Sequence, residues 1–272
     1  MSAPMAMPVS SSSVGVDDVV AEVLWLAQHR HVPLHDVRAT LEQVRPWLSS
    51  YAEWVLTEDG FEIITGGVGP RARQAVCDIA ASAGLSSSSV RFFRAVAEAC
   101  PDVMVGVKVP FTSNHSAPTS PTAYVRTALA KDDARQVLKR AAARAGWSFQ
   151  PGDVVDEHPS CDTLYGIGVV DDDGAPMLKT YVLQEVGDDV AFVSLRLNAA
   201  GLHHAHKEYA ADVEVKTLQA SPLWGAALTW MQGALGIDTV GHVGREVCAH
   251  RADRWKIYVE RIGRIATDRS LR

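Results

Sequence analysis

The chain has 272 residues, of which 47% are hydrophobic and 21% charged, with a formal net charge of −6. This is an ordinary globular composition, long enough for one large domain or two small ones. The acidic balance excludes a general nucleic-acid binder, which needs a basic surface to displace counterions, but leaves room for a local basic pocket holding a small anion.

Residues 1–16 are rich in Ser, Pro and Ala and predict a flexible segment before a single domain over 17–272. They lack the basic stretch and apolar core of a secretory leader, and no apolar run in the chain is long enough to span a bilayer. The four cysteines, Cys77, Cys100, Cys161 and Cys248, form no CxxC pair. They are expected as buried thiols in a reducing cytoplasm.

"VDDVVAEVLWLAQHR" has helical spacing, with Val19, Val23, Leu24 and Leu26 on one side and two aspartates at its N-terminal end. "LHDVRATLEQVRPWLSSYAEW" predicts a second helix, ended or kinked by Pro46. "WVLTEDGFEIITGG" reads as a hairpin around Asp59-Gly60. Two more helices follow, the first stopped by Gly84 and the second capped from a serine run. "DVMVGVKVPF" and "PTAYVRTALA" are strands, and "KDDARQVLKRAAARAG" is a helix ended by Gly146. "DTLYGIGVV" and "PMLKTYVLQE" flank a "DDDGA" turn. "VAFVSLRL" and "YAADVEVKTL" pair next, with "NAAGLHHAHKE" expected as the loop between them. "LWGAALTWMQGALG" predicts a helix, and "TVGHVGREVCAH" with "RWKIYVERIGRI" the last strand pair.

The expected fold class is therefore α+β, ten antiparallel strands with helices on one side. A sheet of that size curls or closes into a barrel. Strands from several pairs keep a basic residue on the face opposite their apolar one: Gly106 with Lys108, Tyr124 with Arg126, Lys179 with Tyr181, Ser194 with Arg196, and Arg254, Lys256, Tyr258 in a row. Asp212, Glu214 and Lys216 are read as a further such face, opposite Ala211, Val213 and Val215. On an open sheet that face meets water. In a barrel of about ten strands it lines a lumen with room for a ligand. A basic lumen is costly unless it meets a polyanion. Tyrosines beside the cations suit a ligand with a phosphate or diphosphate end and a cationic or apolar remainder.

"LKTY" at Lys179–Tyr181 and "RWKIY" at Arg254–Tyr258 resemble the Lys-x-Tyr and Arg-x-Lys-x-Tyr marks of the ABBA-type aromatic prenyltransferases, the superfamily that includes the indole (dimethylallyltryptophan-type) enzymes. "TAYVRTAL" resembles the earlier strand that supplies an arginine. The resemblance implies a ten-stranded barrel in a ring of helices, built from repeated helix-helix-strand-strand units. The chain departs from the indole branch in being short after "RWKIY", so the early hairpin "EWVLTEDGFEIIT" is expected to help close the barrel. It implies transfer of a prenyl group, dimethylallyl in the first instance, from an allylic diphosphate to an indole or phenol in secondary metabolism. Arg126, Lys179, Lys216, Arg254 and Lys256 would hold the diphosphate. Tyr124, Tyr181 and Tyr258 would shield the allylic cation. Glu62 and Glu214 are the candidate bases, with Glu260 a third. Some relatives need magnesium and carry an aspartate before a Val-Pro-Thr-Ser segment; here Met104 stands at about that place before "VPFTS", so no metal is implied. The expected partners are the two small substrates, with the protein a monomer or homodimer, binding neither nucleic acid nor membrane.

Two other readings compete. A non-catalytic barrel would bind a small anionic or hydrophobic ligand without turnover. His203, His204 and His206 in "HHAH" are the start of a metal site for a hydrolase, though no HExxH helix accompanies them.

Overall fold

A computed structural model describes residues 15–48, 52–57, 59–113, 120–157, 162–172, 174–186, 189–199, 201–214, 225, 228–229, 232–233, 239–248 and 251–259. Five α-helices and ten strands have both ends among them. The helices are α1 (Val16–His29), α2 (Leu34–Val44), α3 (Pro70–Ser82), α4 (Ser87–Ala99) and α5 (Lys131–Ala145). The strands are β1 (Ala52–Thr57), β2 (Gly60–Val68), β3 (Met104–Thr112), β4 (Thr122–Ala130), β5 (Thr163–Asp172), β6 (Ala175–Val186), β7 (Asp189–Asn198), β8 (Gly201–Glu214), β9 (Thr239–Cys248) and β10 (Arg251–Val259).

Every strand pairs antiparallel with its sequence neighbour, and β1 pairs with β10, so the sheet closes into a barrel. Closure removes both edges, which a ten-stranded sheet would otherwise expose. The early hairpin does close the barrel: Val55 faces Glu62 on one side and Tyr258 on the other.

Local chemistry sets the element ends. Pro46 lacks the N–H that would continue α2, and a 3-10 turn, Arg45–Trp47, follows that helix. Ser86 caps α4, its hydroxyl accepting from the Ser89 N–H at 3.3 Å. Gly146, in the left-handed region at φ 73°, ends α5 without the strain a side chain would bring. At the C-terminal end of α1, the Arg30 guanidinium donates to the carbonyls of Thr57 and Gly60 and ties the helix to the β1–β2 turn.

Strand alternation divides the apolar residues. Leu56, Phe61, Ile63, Val105, Val107, Val109, Ala123, Val125, Leu178 and Leu195 point outward into a core shared with Val23, Leu26, Val76, Phe92, Phe93 and Leu138 of the helices. A second, small cluster of Val55, Ile64 and Tyr124, with Tyr258 against it, is separate from that core and belongs to the opposite face of the sheet. Cys77 and Cys100 are buried free thiols.

Two expectations need correction. The "NAAGLHHAHKE" stretch is not a long loop. β7 runs to Asn198, β8 starts at Gly201, and these two residues pair directly. His203, His204 and His206 therefore lie on β8, where alternation sets His203 out of phase with the other two. The register of β8 also reverses one face assignment: Ala205, Ala211 and Val213 continue the row of Ser194, and Glu214 falls out of phase with it. Of the predicted late helix, Gly225, Leu228, Thr229, Gln232 and Gly233 are helical. Its remaining residues, with Lys216 and Glu260, lie outside the described residues.

Candidate active site

The lumen-facing rows can be followed around the barrel by register. One runs Gly66–Gly106–Tyr124–Gly168–Lys179–Arg196–His203 through β2 to β8. The next runs Arg126–Gly166–Tyr181–Ser194–Ala205. At the closure, Glu62 pairs with Val55, Val55 with Tyr258, and Thr57 with Lys256. Because strands tilt in a closed barrel, side chains distant in sequence meet in the interior.

The centre of the site is ionic. The Lys256 ammonium donates to Glu62 Oε1, an ion pair joining β10 to β2 across β1. Lys108 Nζ lies 3.4 Å from the Tyr258 hydroxyl and 5.1 Å from the centre of its ring, so the ammonium sits beside an electron-rich aromatic surface. Lys179 and Arg196 are direct partners across β6 and β7. These groups feel one another. Burial is the first cause that holds the Lys179 ammonium well below its ordinary proton affinity; the positive charges of Arg196, Lys256 and Lys108 add to it, and Glu62 opposes it. Lys256 is lowered mainly by burial, with Glu62 again the opposing charge and Lys108 and Arg196 reinforcing. Lys256 keeps only 19% of its side-chain surface and Glu62 14%.

Four cations thus converge around one carboxylate among the described residues. Such a set is costly to desolvate, and a ligand bearing several negative charges would offset that cost. The apolar wall beside it is supplied by Val55, Ile64 and Tyr124, with Tyr258 at the junction between wall and cations.

The structure brings together Glu62, Lys179, Lys256, Tyr124 and Tyr258 of the residues expected from sequence, with Tyr181 one row away. Arg126 lies in the Tyr181 row, next to a register shift between β4 and β5, and is exposed rather than buried in the cluster. Arg254 is placed in β10 in phase with Lys256, opposite Glu246, and its side chain lies outside the described residues. Lys108 and Arg196 belong to the cluster and were not among the expected diphosphate ligands. The signal for them was present, since each shares its face with a small residue, Gly106 and Ser194, on a strand whose other face is apolar.

No protein-family model and no curated protein sequence matches the chain. Solved structures do. The apo form of prenyltransferase PriB superposes with a TM-score of 0.64 at 12% identity, covering 90% of this chain and 95% of that one. The PriB ternary complex with L-tryptophan and dimethylallyl thiolodiphosphate gives 0.60 at 11% identity, with the same coverage. The 5-dimethylallyl tryptophan synthase from Streptomyces coelicolor, in complex with DMASPP and Trp, gives 0.65 at 8% identity, covering 90% and 94%. At these identities the likeness is one of fold, over nearly the whole of both chains.

Proposed function

We propose that this chain is an aromatic prenyltransferase that moves a dimethylallyl group from its diphosphate to an aromatic acceptor such as an indole or a phenol. The observation that carries the reading is the group of four cations, Lys108, Lys179, Arg196 and Lys256, that share one electrostatic neighbourhood with Glu62, set in a barrel lumen against Tyr124 and Tyr258. Support comes from the solved proteins of the same fold that hold tryptophan together with a dimethylallyl diphosphate analogue.

The residues divide the work by chemistry. The C–O bond of the donor breaks heterolytically, leaving an allylic cation and diphosphate. Lysine and arginine side chains neutralise the charge that grows on the departing oxygens, and fixed cations in a dry site do this without reorganising. Lys acts as a point charge and Arg as a planar fork, so the pair Lys179 and Arg196 can engage two oxygens at once. Tyrosine ring faces stabilise the cation and keep water from capturing it. The acceptor carbon attacks the cation, and a carboxylate takes the proton from the arenium intermediate. Glu62 is the base in this proposal, because it lies in the cluster, whereas Glu214 is out of phase with the lumen row. The hydrogen bond from Lys256 fixes the orientation of the Glu62 carboxylate in the cluster.

The test is incubation with dimethylallyl diphosphate and a panel of aromatic acceptors, with and without magnesium, read by product mass. Lys179→Ala and Lys256→Ala are each expected to cut turnover by roughly 100- to 1,000-fold, the effect of removing one charge-stabilising donor, while circular dichroism stays unchanged. Unaltered turnover in both variants would remove the cations from the mechanism.

A further inference from the structure

Gly106 on β3 stands directly opposite Tyr124 on β4. Cross-strand partners in an antiparallel sheet ordinarily stand side by side, about 5 Å apart at Cβ. Here a Cβ added to Gly106 would lie 2.5 Å from both Cζ and Oη of Tyr124 and 2.9 Å from Cε1. The far end of the tyrosine ring therefore lies in the space that a side chain at position 106 would occupy. The backbone does not demand glycine there, because Gly106 is not among the residues with positive φ. The ring itself is what the missing side chain makes room for.

We propose that Gly106 is a positioning residue for the prenyl-transfer site: its lack of a side chain lets the Tyr124 ring lie down against β3. The inference rests on the functional reading above. The other neighbours of the ring, Val55, Ile64 and Tyr258, complete the apolar wall. A methyl group at 106 drives the ring off the strand and toward the lumen. That movement is easy for the fold, since the displaced atoms are the end of a side chain and not backbone. It narrows the lumen where the apolar parts of donor and acceptor must meet. Three of the four cations, Lys179, Arg196 and Lys256, stand on other strands, β6, β7 and β10, and the fourth, Lys108, lies two residues along β3 against Tyr258.

The experiment is a double-mutant cycle with Gly106→Ala, Tyr124→Ala and the pair, each confirmed as folded by cooperative melting. Gly106→Ala is expected to lower kcat/KM by roughly 10- to 100-fold, the scale of an ångström-sized misplacement. Its affinity for inorganic diphosphate should fall by no more than about 3-fold, because three of the four cations stand on strands that the change does not touch. In the Tyr124→Ala background the same change should have almost no further effect, since no ring is left to displace. An equal loss in both backgrounds, or a matching loss of diphosphate affinity, overturns the inference. Absence of turnover in the unaltered protein would defeat the proposed activity alone. A crystal structure of Gly106→Ala then decides the geometry: a displaced Tyr124 ring supports the inference, and an unmoved ring refutes it.

Discussion

Lys179 and Lys256 hold their protons less firmly than lysines in water, whose ordinary value is 10.5, because burial disfavours the ammonium and neighbouring cations repel it. This has a sign that can be tested. Between the lowered native value and 10.5 the unfolded chain binds more protons than the folded one, so the ligand-free protein gains stability as pH rises through that window. A polyanion reverses the preference and recharges the lysines. Binding of inorganic diphosphate is therefore expected to take up protons, and to weaken as pH climbs through the native value of Lys179. Calorimetric titration in two buffers of different ionisation enthalpy measures the uptake, with Lys179→Ala as the control that should show less. Equal uptake in both proteins would mean that Lys179 is already charged. These lysines were legible in the sequence because Lys-x-Tyr recurs on strands with an apolar opposite face. Glu214 was misread for a physical reason: in "ADVEVKTL" the alternating set Ala211, Val213, Val215 is small and apolar enough to suit either side of a barrel wall. Only the pairing with β9 tells the two faces apart.

At the scale of elements, the hairpins were the clearest part of the sequence, because Asp-Gly turns fix where a strand must reverse. The β7–β8 connection was hidden by residues with modest strand preference, three histidines and several alanines, which the closed sheet supports by pairing on both sides. Also invisible from sequence is the joint between α4 and β5. Asp171, 5% exposed, accepts from the Ser86 N–H at 2.6 Å, the Ser86 hydroxyl at 3.1 Å and the Ser89 hydroxyl at 2.5 Å. Its partners lie more than eighty residues away, beyond the reach of any local pattern. The carboxylate serves as a second acceptor at the N-terminus of α4, alongside the Ser86 cap. Asp171→Ala removes a charged acceptor and leaves buried donors without one, at a cost of about 2–3 kcal/mol. Thermal melting should show a decrease of ~2–4 °C per kcal/mol for a chain of this size. Because Asp171 alternates with Val170 and faces the helices, turnover below the melting range should not change. A loss of turnover at full folding would place this joint in the site.

The whole barrel is what makes the site. Glu62 and Lys256 sit on β2 and β10, near opposite ends of the sequence, and meet only because β1 bridges them. Lys108, Lys179 and Arg196 come from three further strands, so no fragment of the sheet carries the cluster. A ligand that binds the cluster should consequently stabilise the closed barrel as a unit and not one hairpin of it. At a hundredfold excess over its dissociation constant, a ligand bound by the native state alone adds about 2.7 kcal/mol. For a chain of this length that corresponds to roughly 5–10 °C in melting temperature. Inorganic diphosphate is the probe, since it offers the negative charges without the prenyl chain. Orthophosphate at the same concentration should raise the melting temperature far less, because it brings fewer negative charges and oxygens to the cations on β3, β6, β7 and β10. Lys179→Ala and Lys256→Ala should each lose most of the diphosphate shift, although they belong to different strands. A shift of the same size from both anions would mark the lumen as a general anion sink, and the spacing of the four cations would then carry no selectivity for a diphosphate.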